Sequence, residues 1–89
     1  MMLQDLLNEF NITLSGFTAN IEIPDDFEEN TKIRFEEGNK IKFICQLEDL
    51  VREVCIDLTE KTITVSFESD IYSGGEMYTL DGQLLKIMN

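Results

Sequence analysis

Alternating apolar and polar residues, interrupted by short turns, are the sequence feature that most restricts the fold of this chain. Residues 32–35 and 40–45 each place an apolar side chain at every second position, and Glu37-Gly38-Asn39 lies between the two runs. Side chains of a β-strand point alternately to its two faces, and a Gly-Asn pair between two such runs is typical of a turn. The pattern therefore predicts a β-hairpin over residues 32–45.

The same pattern predicts a second hairpin over residues 56–67 and a third over residues 78–88. In the third, Asp81-Gly82 stands between the alternating runs. An Asp-Gly pair in this position indicates a type I′ turn, in which both central residues have positive φ. Such a turn places Tyr78 opposite Leu85 on one face of the hairpin.

Two other stretches have the spacing of an amphipathic helix. Apolar residues at positions i, i+3, i+4 and i+7 share one face of a helix, and residues 2–10 and 47–54 both follow this rule. Asn11 suits the position after the first helix, because asparagine tolerates the left-handed conformation. A continued strand is the competing interpretation for residues 47–54, since they include β-branched valines. The apolar residues concerned are Leu3, Leu6, Leu7 and Phe10 in the first stretch, and Leu47, Leu50, Val51 and Val54 in the second.

Residues 12–23 return to an alternating pattern, which predicts further strand. The apolar positions change parity at Ser15-Gly16, so this dipeptide marks a turn or a bulge. Pro24 ends the strand because it cannot donate a hydrogen bond to a sheet. Residues 24–30 are then predicted as a loop or one acidic helical turn, with Phe27 as the only apolar anchor.

These elements predict one acidic α+β domain over residues 1–89. We expect a mostly antiparallel β-sheet of three hairpins, with the short N-terminal helix and the short central helix packed on one face. Residues 68–75, which end in Gly74-Gly75, are predicted as a flexible polar loop. The first residues lack the basic charge of a secretory signal, and no apolar run is long enough to cross a bilayer. We therefore expect a cytoplasmic protein that does not contact membranes.

The sequence offers little for catalysis, so we expect a protein that is not an enzyme and has no cofactor or metal ion. It contains no histidine to serve as a general base. Cys45 and Cys55 lie in apolar runs near acids, surroundings that raise the pKa of a thiol and make it less reactive. They do not form a CxxC pair, and we expect both to be reduced and unpaired. The acids of residues 25–29 do not match the spacing of an EF-hand loop.

The acidic excess restricts the partners of the chain. Asp and Glu total 18 against 7 Lys and Arg, which gives a net charge of −11 over 89 residues. A domain of this size has a diameter of roughly 33 Å, a length over which duplex DNA carries about 20 charges. The carboxylates therefore match the phosphates of such a duplex in number. A chain of this kind repels nucleic acid and anionic membranes and is attracted to basic protein surfaces.

In compactness and charge the chain resembles small phage-encoded proteins that block host defence nucleases, among them anti-CRISPR proteins. The resemblance implies an inhibitor that acts in the cytoplasm of the host cell, where it occupies the nucleic-acid-binding surface of a basic protein as a DNA mimic. It rests on size and charge and includes no shared motif, so it assigns no site residue.

The acids are concentrated in two stretches of the sequence, and these supply the expected partner-binding residues. Acids clustered in space favour the mimic, whereas acids spread evenly favour a domain whose charge only maintains solubility. A third interpretation is a small interaction or assembly module, phage or bacterial, that acts through an apolar patch or the edge of a homodimer. The expected partner-binding residues are Glu22, Asp25, Asp26, Phe27, Glu28, Glu29, Glu36, Glu37, Glu68, Asp70, Tyr72 and Glu76.

Overall fold

Six antiparallel strands form a single sheet in which neighbours along the chain are also neighbours in space. The computed structural model describes all 89 residues. Neither the α-helix nor the 3₁₀ turn has the length and apolarity that a membrane-spanning helix needs. The elements are α1 (Leu3–Glu9), a 3₁₀ turn (Asp25–Glu28), β1 (Thr31–Glu36), β2 (Lys40–Gln46), β3 (Leu50–Asp57), β4 (Thr62–Ser69), β5 (Ser73–Thr79) and β6 (Leu84–Met88).

The three predicted hairpins are confirmed as β1–β2, β3–β4 and β5–β6. In the first, Ile33 lies opposite Phe43 and Phe35 lies opposite Ile41, so the apolar positions of both strands share one face. Gly38 occupies the turn with a φ of 80°. The β-part of the predicted α+β domain is therefore an antiparallel meander.

Only one face of the sheet is buried, and we call it the core face. Strand register places the alternate apolar residues of β2, β3 and β4 side by side on this face. On the opposite face, the open face, no residue is fully buried. Helix α1, residues 12–23 and the 3₁₀ turn cover the core face. All 13 buried residues are apolar: Leu3, Leu6, Leu7, Ala19, Ile21, Ile23, Phe27, Ile41, Phe43, Cys45, Val54, Ile56 and Ile63.

The predicted N-terminal helix is confirmed. Leu3, Leu6 and Leu7 are at most 1% exposed, and the polar residues of the helix face water. Asn11 adopts the expected left-handed conformation with a φ of 57°, and the chain leaves the helix there. Seven residues are too few for a stable isolated helix, so α1 depends on its contact with the core.

The predicted central helix over residues 47–54 is wrong, and the competing strand is correct. This stretch forms the short β2–β3 loop and the start of β3, which is hydrogen-bonded to β2 on one side and β4 on the other. The helical spacing is misleading because Arg52 occupies a position on the core face, where the strand pattern calls for an apolar residue. Hydrogen bonding of β3 to strands on both sides outweighs the local preference of these residues for a helix.

Residues 12–23, which we call the covering segment, do not form the predicted strand. They cross the core face in an extended conformation, and their only β-bridge joins Glu22 to Met2. The alternation is nevertheless real, because Ala19, Ile21 and Ile23 are buried. The predicted turn at Ser15-Gly16 is present, with Gly16 at a φ of 76°. An extended stretch can therefore show strand periodicity without belonging to the sheet.

The turn of the third hairpin differs from the prediction. Only Gly82 has a positive φ, at 92°, so the turn is not type I′. The Gly82 N–H donates to the Thr79 carbonyl at 3.0 Å, and a three-residue loop joins the strands. A left-handed glycine after such a turn makes the connection one residue longer than in a type I′ hairpin, which shifts the pairing of the two strands by one residue. Tyr78 consequently lies opposite Leu84 instead of Leu85.

Gly74 and Gly75 lie inside β5, so the predicted flexible loop over residues 68–75 is reduced to residues 70–72. Close packing explains the two glycines. A Cβ on Gly74 would lie 3.1 Å from the Phe67 ring, and a Cβ on Gly75 would lie 2.6 Å from the Val65 carbonyl oxygen. The dipeptide permits close approach of neighbouring groups and is not a source of mobility.

The dependence of the fold on α1 can be tested by Leu6→Ala. Because Leu6 is fully buried, the substitution should lower the free energy of unfolding by about 2–5 kcal/mol, measured by urea denaturation. Glu9→Ala, at an exposed position of the same helix, is the control and should change it by less than about 0.5 kcal/mol. Equal unfolding midpoints for the two variants would contradict the packing of α1 described above.

Candidate functional site

Three acidic segments meet at one end of the sheet. In an antiparallel meander the first residues of β1, β3 and β5 lie at the same end of the sheet as the last residues of β2, β4 and β6. The 3₁₀ turn before β1, the β2–β3 loop and the β4–β5 loop are therefore neighbours. We call this surface the acidic end, and its carboxylates belong to Asp25, Asp26, Glu28, Glu29, Glu48, Asp49, Glu68 and Asp70.

The 3₁₀ turn is attached to the sheet by one buried side chain and by hydrogen bonds to its backbone. Phe27 is 1% exposed and anchors the turn in the core. The Cys45 thiol donates to the Asp26 carbonyl at 3.2 Å, and the Thr31 hydroxyl donates to the Phe27 carbonyl at 2.6 Å. The neighbouring acids, Glu28 and Glu29 among them, therefore project from a fixed backbone.

Two acids of the turn are partly neutralised within the protein. The Arg52 Nε donates to a carboxylate oxygen of Asp26 at 3.1 Å. The amino group of Met1 contacts a carboxylate oxygen of Asp25 at 2.6 Å. Glu28 and Glu29 have no such side-chain partner, so their charge is available to another molecule.

Glu48 and Asp49 were not among the expected partner-binding residues, because the helix predicted over residues 47–54 would place them on its solvent side. They instead occupy the tip of the β2–β3 loop, which the Leu47 N–H closes by donating to the Leu50 carbonyl at 2.8 Å. Both side chains are exposed. Two acids between the alternating run of β2 and the β-branched residues of β3 were the signal that could have found them.

The β4–β5 loop adds an apolar group to the acidic end. The Ser69 hydroxyl accepts from the Tyr72 N–H at 3.2 Å and donates to the Tyr72 carbonyl at 3.0 Å, which fixes the loop. Ile71 is 88% exposed and Tyr72 is 62% exposed. The Tyr72 ring packs edge-on against Phe67, with their centroids 5.5 Å apart. An exposed aromatic residue on a fixed loop is typical of an interface anchor.

The basic residues are concentrated elsewhere, on the open face. It carries five of the seven cations but only four of the 18 acids, Glu68 of the acidic end included. The Lys42 Nζ lies 3.1 Å from a carboxylate oxygen of Glu36 and 4.0 Å from one of Glu53. The hydrogen bond to Glu36 raises the pKa of Lys42. The cations of this face are Lys32, Arg34, Lys40, Lys42 and Lys86.

The expected partner-binding residues are thus separated into three locations. Six acids and Tyr72 lie together at the acidic end. Glu22 and Glu76 line a groove next to it, between the covering segment and β5. Glu36 and Glu37 lie at the opposite end of the sheet, and Glu36 is paired with Arg34 and Lys42. Phe27 is buried, so it positions its neighbours and presents no side chain to a partner.

No three carboxylates or cysteines converge in the geometry of a metal site. Both cysteines are free, as predicted. They lie on adjacent strands but on opposite faces of the sheet. Comparison with known proteins finds no matching family model, no similar curated protein and no similar solved structure.

The two thiols are predicted to be poor nucleophiles in the native protein. Burial is the main cause that raises the pKa of Cys45 and of Cys55 above the ordinary value of 9.0. Near neutral pH, Cys45 should react with a thiol reagent far more slowly in the folded protein than in urea, and Cys55 should react faster than Cys45 because it is less buried.

The variants Cys45→Ser and Cys55→Ser separate the two reactions in a spectrophotometric assay. The raised pKa values also predict that the contribution of the thiols to stability is present below pH 9 and declines as the pH rises above it. Equal labelling rates for Cys45 in the folded and the unfolded chain would overturn the anchoring of the 3₁₀ turn.

Proposed function

We propose that this protein is a non-enzymatic inhibitor that binds a basic, nucleic-acid-binding protein through its acidic end and blocks it stoichiometrically. The observation that carries the proposal is the sorting of charge over the surface. Because the open face carries five of the seven cations but only four of the 18 acids, the other 14 acids share the remaining surface with only two cations. Acids serving only solubility would not need this separation.

The dimensions of the protein support a nucleic-acid mimic. The longest axis is 35 Å, a length over which duplex DNA carries about 20 charges, and the chain has 18 carboxylates. The acidic turn is anchored by Phe27 and by two backbone-directed hydrogen bonds. Binding by a preorganised surface costs less ordering than binding by a mobile loop. Tyr72 and Ile71 add apolar area that a purely electrostatic contact lacks.

The partner class follows from the charge. A nuclease or another nucleic-acid-binding protein presents the lysines and arginines that the acidic end requires, whereas nucleic acid and anionic membranes are repelled. We place the action of the protein in the cytoplasm, which is that of the host cell if the protein is phage-encoded. Occupation of the groove of the target by carboxylates would exclude its nucleic acid without any chemical step.

Regional charge reversal tests this function. Glu28, Glu29 and Asp49 at the acidic end are exposed and have no side-chain partner, and Glu9, Glu37 and Glu60 share both properties away from it. Changing either trio to lysine moves the net charge from −11 to −5. Only the first trio should weaken binding to a basic target, by about tenfold or more, because only it loses contacts.

The target is isolated on immobilised protein from a bacterial lysate and then purified. One equivalent of wild-type protein should release labelled duplex DNA from it, with an affinity that falls as the Debye length shrinks from about 10 Å at 0.1 M salt to about 3 Å at 1 M. Capture of neutral proteins alone, equal effects of the two trios, or indifference to salt would refute the proposal.

A second candidate function is assembly through the edge of the sheet. The outer strand β6 exposes Leu84, Leu85 and Ile87, each more than half accessible, beside a single charge on Lys86. An apolar edge strand is a template for pairing with another chain. Under this alternative Leu85→Lys would abolish self-association measured by analytical ultracentrifugation, whereas the inhibitor proposed above would sediment as the same species with either residue.

A further inference from the structure

A groove of about 480 Å³ runs along the core side of the sheet, next to the acidic end. The covering segment forms one wall with Glu22, and β5 forms the other with Glu76. Phe67 and Gly74 lie between the walls. The volume falls in the range of about 300–1,000 Å³ that is usual for sites that hold a ligand.

The wall formed by the covering segment is an unpaired strand edge. The Ile21 carbonyl accepts from the Leu3 N–H, and the Ile23 N–H donates to the Met1 carbonyl, both at 2.8 Å. Backbone groups of successive residues in an extended chain point to opposite sides, so those of Glu22 and the Asn20 carbonyl point away from the N-terminal residues. The Thr18 N–H, which has the same parity, donates to the Leu80 carbonyl at 3.0 Å.

That last hydrogen bond shows that the free edge faces the side of the β5–β6 loop, and Glu22 lines the groove on this side. No backbone hydrogen bond within the protein uses the Glu22 N–H, the Glu22 carbonyl or the Asn20 carbonyl. The side chains of Asn20 and Glu22 are exposed. Unpaired backbone groups of an extended chain, next to an open groove, form a template on which a further strand can add.

The chemistry of the groove selects a cationic side chain. Its two walls carry the carboxylates of Glu22 and Glu76, and the Tyr78 hydroxyl donates a hydrogen bond to the Glu76 carboxylate. Phe67 and Tyr72 offer aromatic surface for the aliphatic stem of a lysine or arginine. Arg52 also lines the groove, but its guanidinium group is paired with the Asp26 carboxylate at 3.1 Å, which offsets its positive charge.

We propose that the groove binds an extended basic segment of the partner, which adds as a strand to the free edge at Asn20 and Glu22 and places a lysine or arginine between Glu22 and Glu76. The inference rests on the proposed function, because that function requires a basic partner. It adds a specific mode of recognition. Backbone hydrogen bonds hold the segment, and alternate side chains of the segment enter the groove.

A five-residue peptide that alternates arginine and valine is the probe. In a strand added to an edge, the N–H groups of alternate residues face the protein and the others face solvent. N-methylation of the residues of one parity should therefore weaken binding by about tenfold, since one or two hydrogen bonds are lost, and methylation of the other parity should not. Hydrogen exchange of the Glu22 amide, followed by NMR, should slow in the complex.

The variants Glu22→Gln and Glu76→Gln should each weaken peptide binding several-fold, and Glu9→Gln and Glu60→Gln, at exposed sites away from the groove, are the matched controls. Equal effects of methylation at both parities, an unprotected Glu22 amide, or failure of the peptide to bind would overturn the inference. These outcomes leave the proposed function standing if reversal of Glu28, Glu29 and Asp49 still abolishes target binding. Conversely, a target that is not basic removes the function itself.

Discussion

The structure depends on the burial of one face of a six-stranded sheet. The chain has one short helix, one extended segment and the 3₁₀ turn to place over that face, and their buried residues complete a core of 13 apolar residues. Nothing remains to cover the other face, so it must tolerate water along every strand. Its residues are threonine, serine and charged groups, with a few half-buried apolar ones among them. Charge is thus excluded from the core face except at Arg52 and Glu76, and it is distributed between the open face and the loops.

That exclusion explains the electrostatic character of the molecule. Cations on β1 and β2 pair with acids across the open face, as Lys42 does with Glu36 and Glu53. Apart from Asp25 and Asp26, the acids of the loops have no such partners, and at one end of the meander three loops carry acids together. The 3₁₀ turn is rigid because its apolar residue, Phe27, belongs to the core. A fold built from local hairpins therefore produces a fixed acidic surface without any binding partner to order it.

Sequence periodicity predicted the elements whose pattern is not interrupted. The hairpin β1–β2 and helix α1 follow from strict alternation and from helical spacing, respectively. Residues 47–54 were assigned to a helix because their apolar residues have helical spacing. Arg52 hides the strand pattern, and the reason for that arginine, its ion pair with Asp26, lies 26 positions away in sequence. The acids of residues 25–29 could be named from the sequence. Glu48 and Asp49 were not named, since their position depends on the strand that surrounds Arg52, which was assigned to a helix.

Negative potential is concentrated at the acidic end, and a paramagnetic cation measures it directly. Hexaamminechromium(III) accelerates the NMR relaxation of nearby nuclei and collects where the potential is most negative. Relative to a neutral paramagnetic chelate, it should enhance the relaxation of amide protons most at residues 25–29, 48–49 and 70–72, and least on the open face of β1 and β2. Uniform enhancement over the surface, or a maximum around Glu37 and Glu60 at the other end of the sheet, would contradict the account.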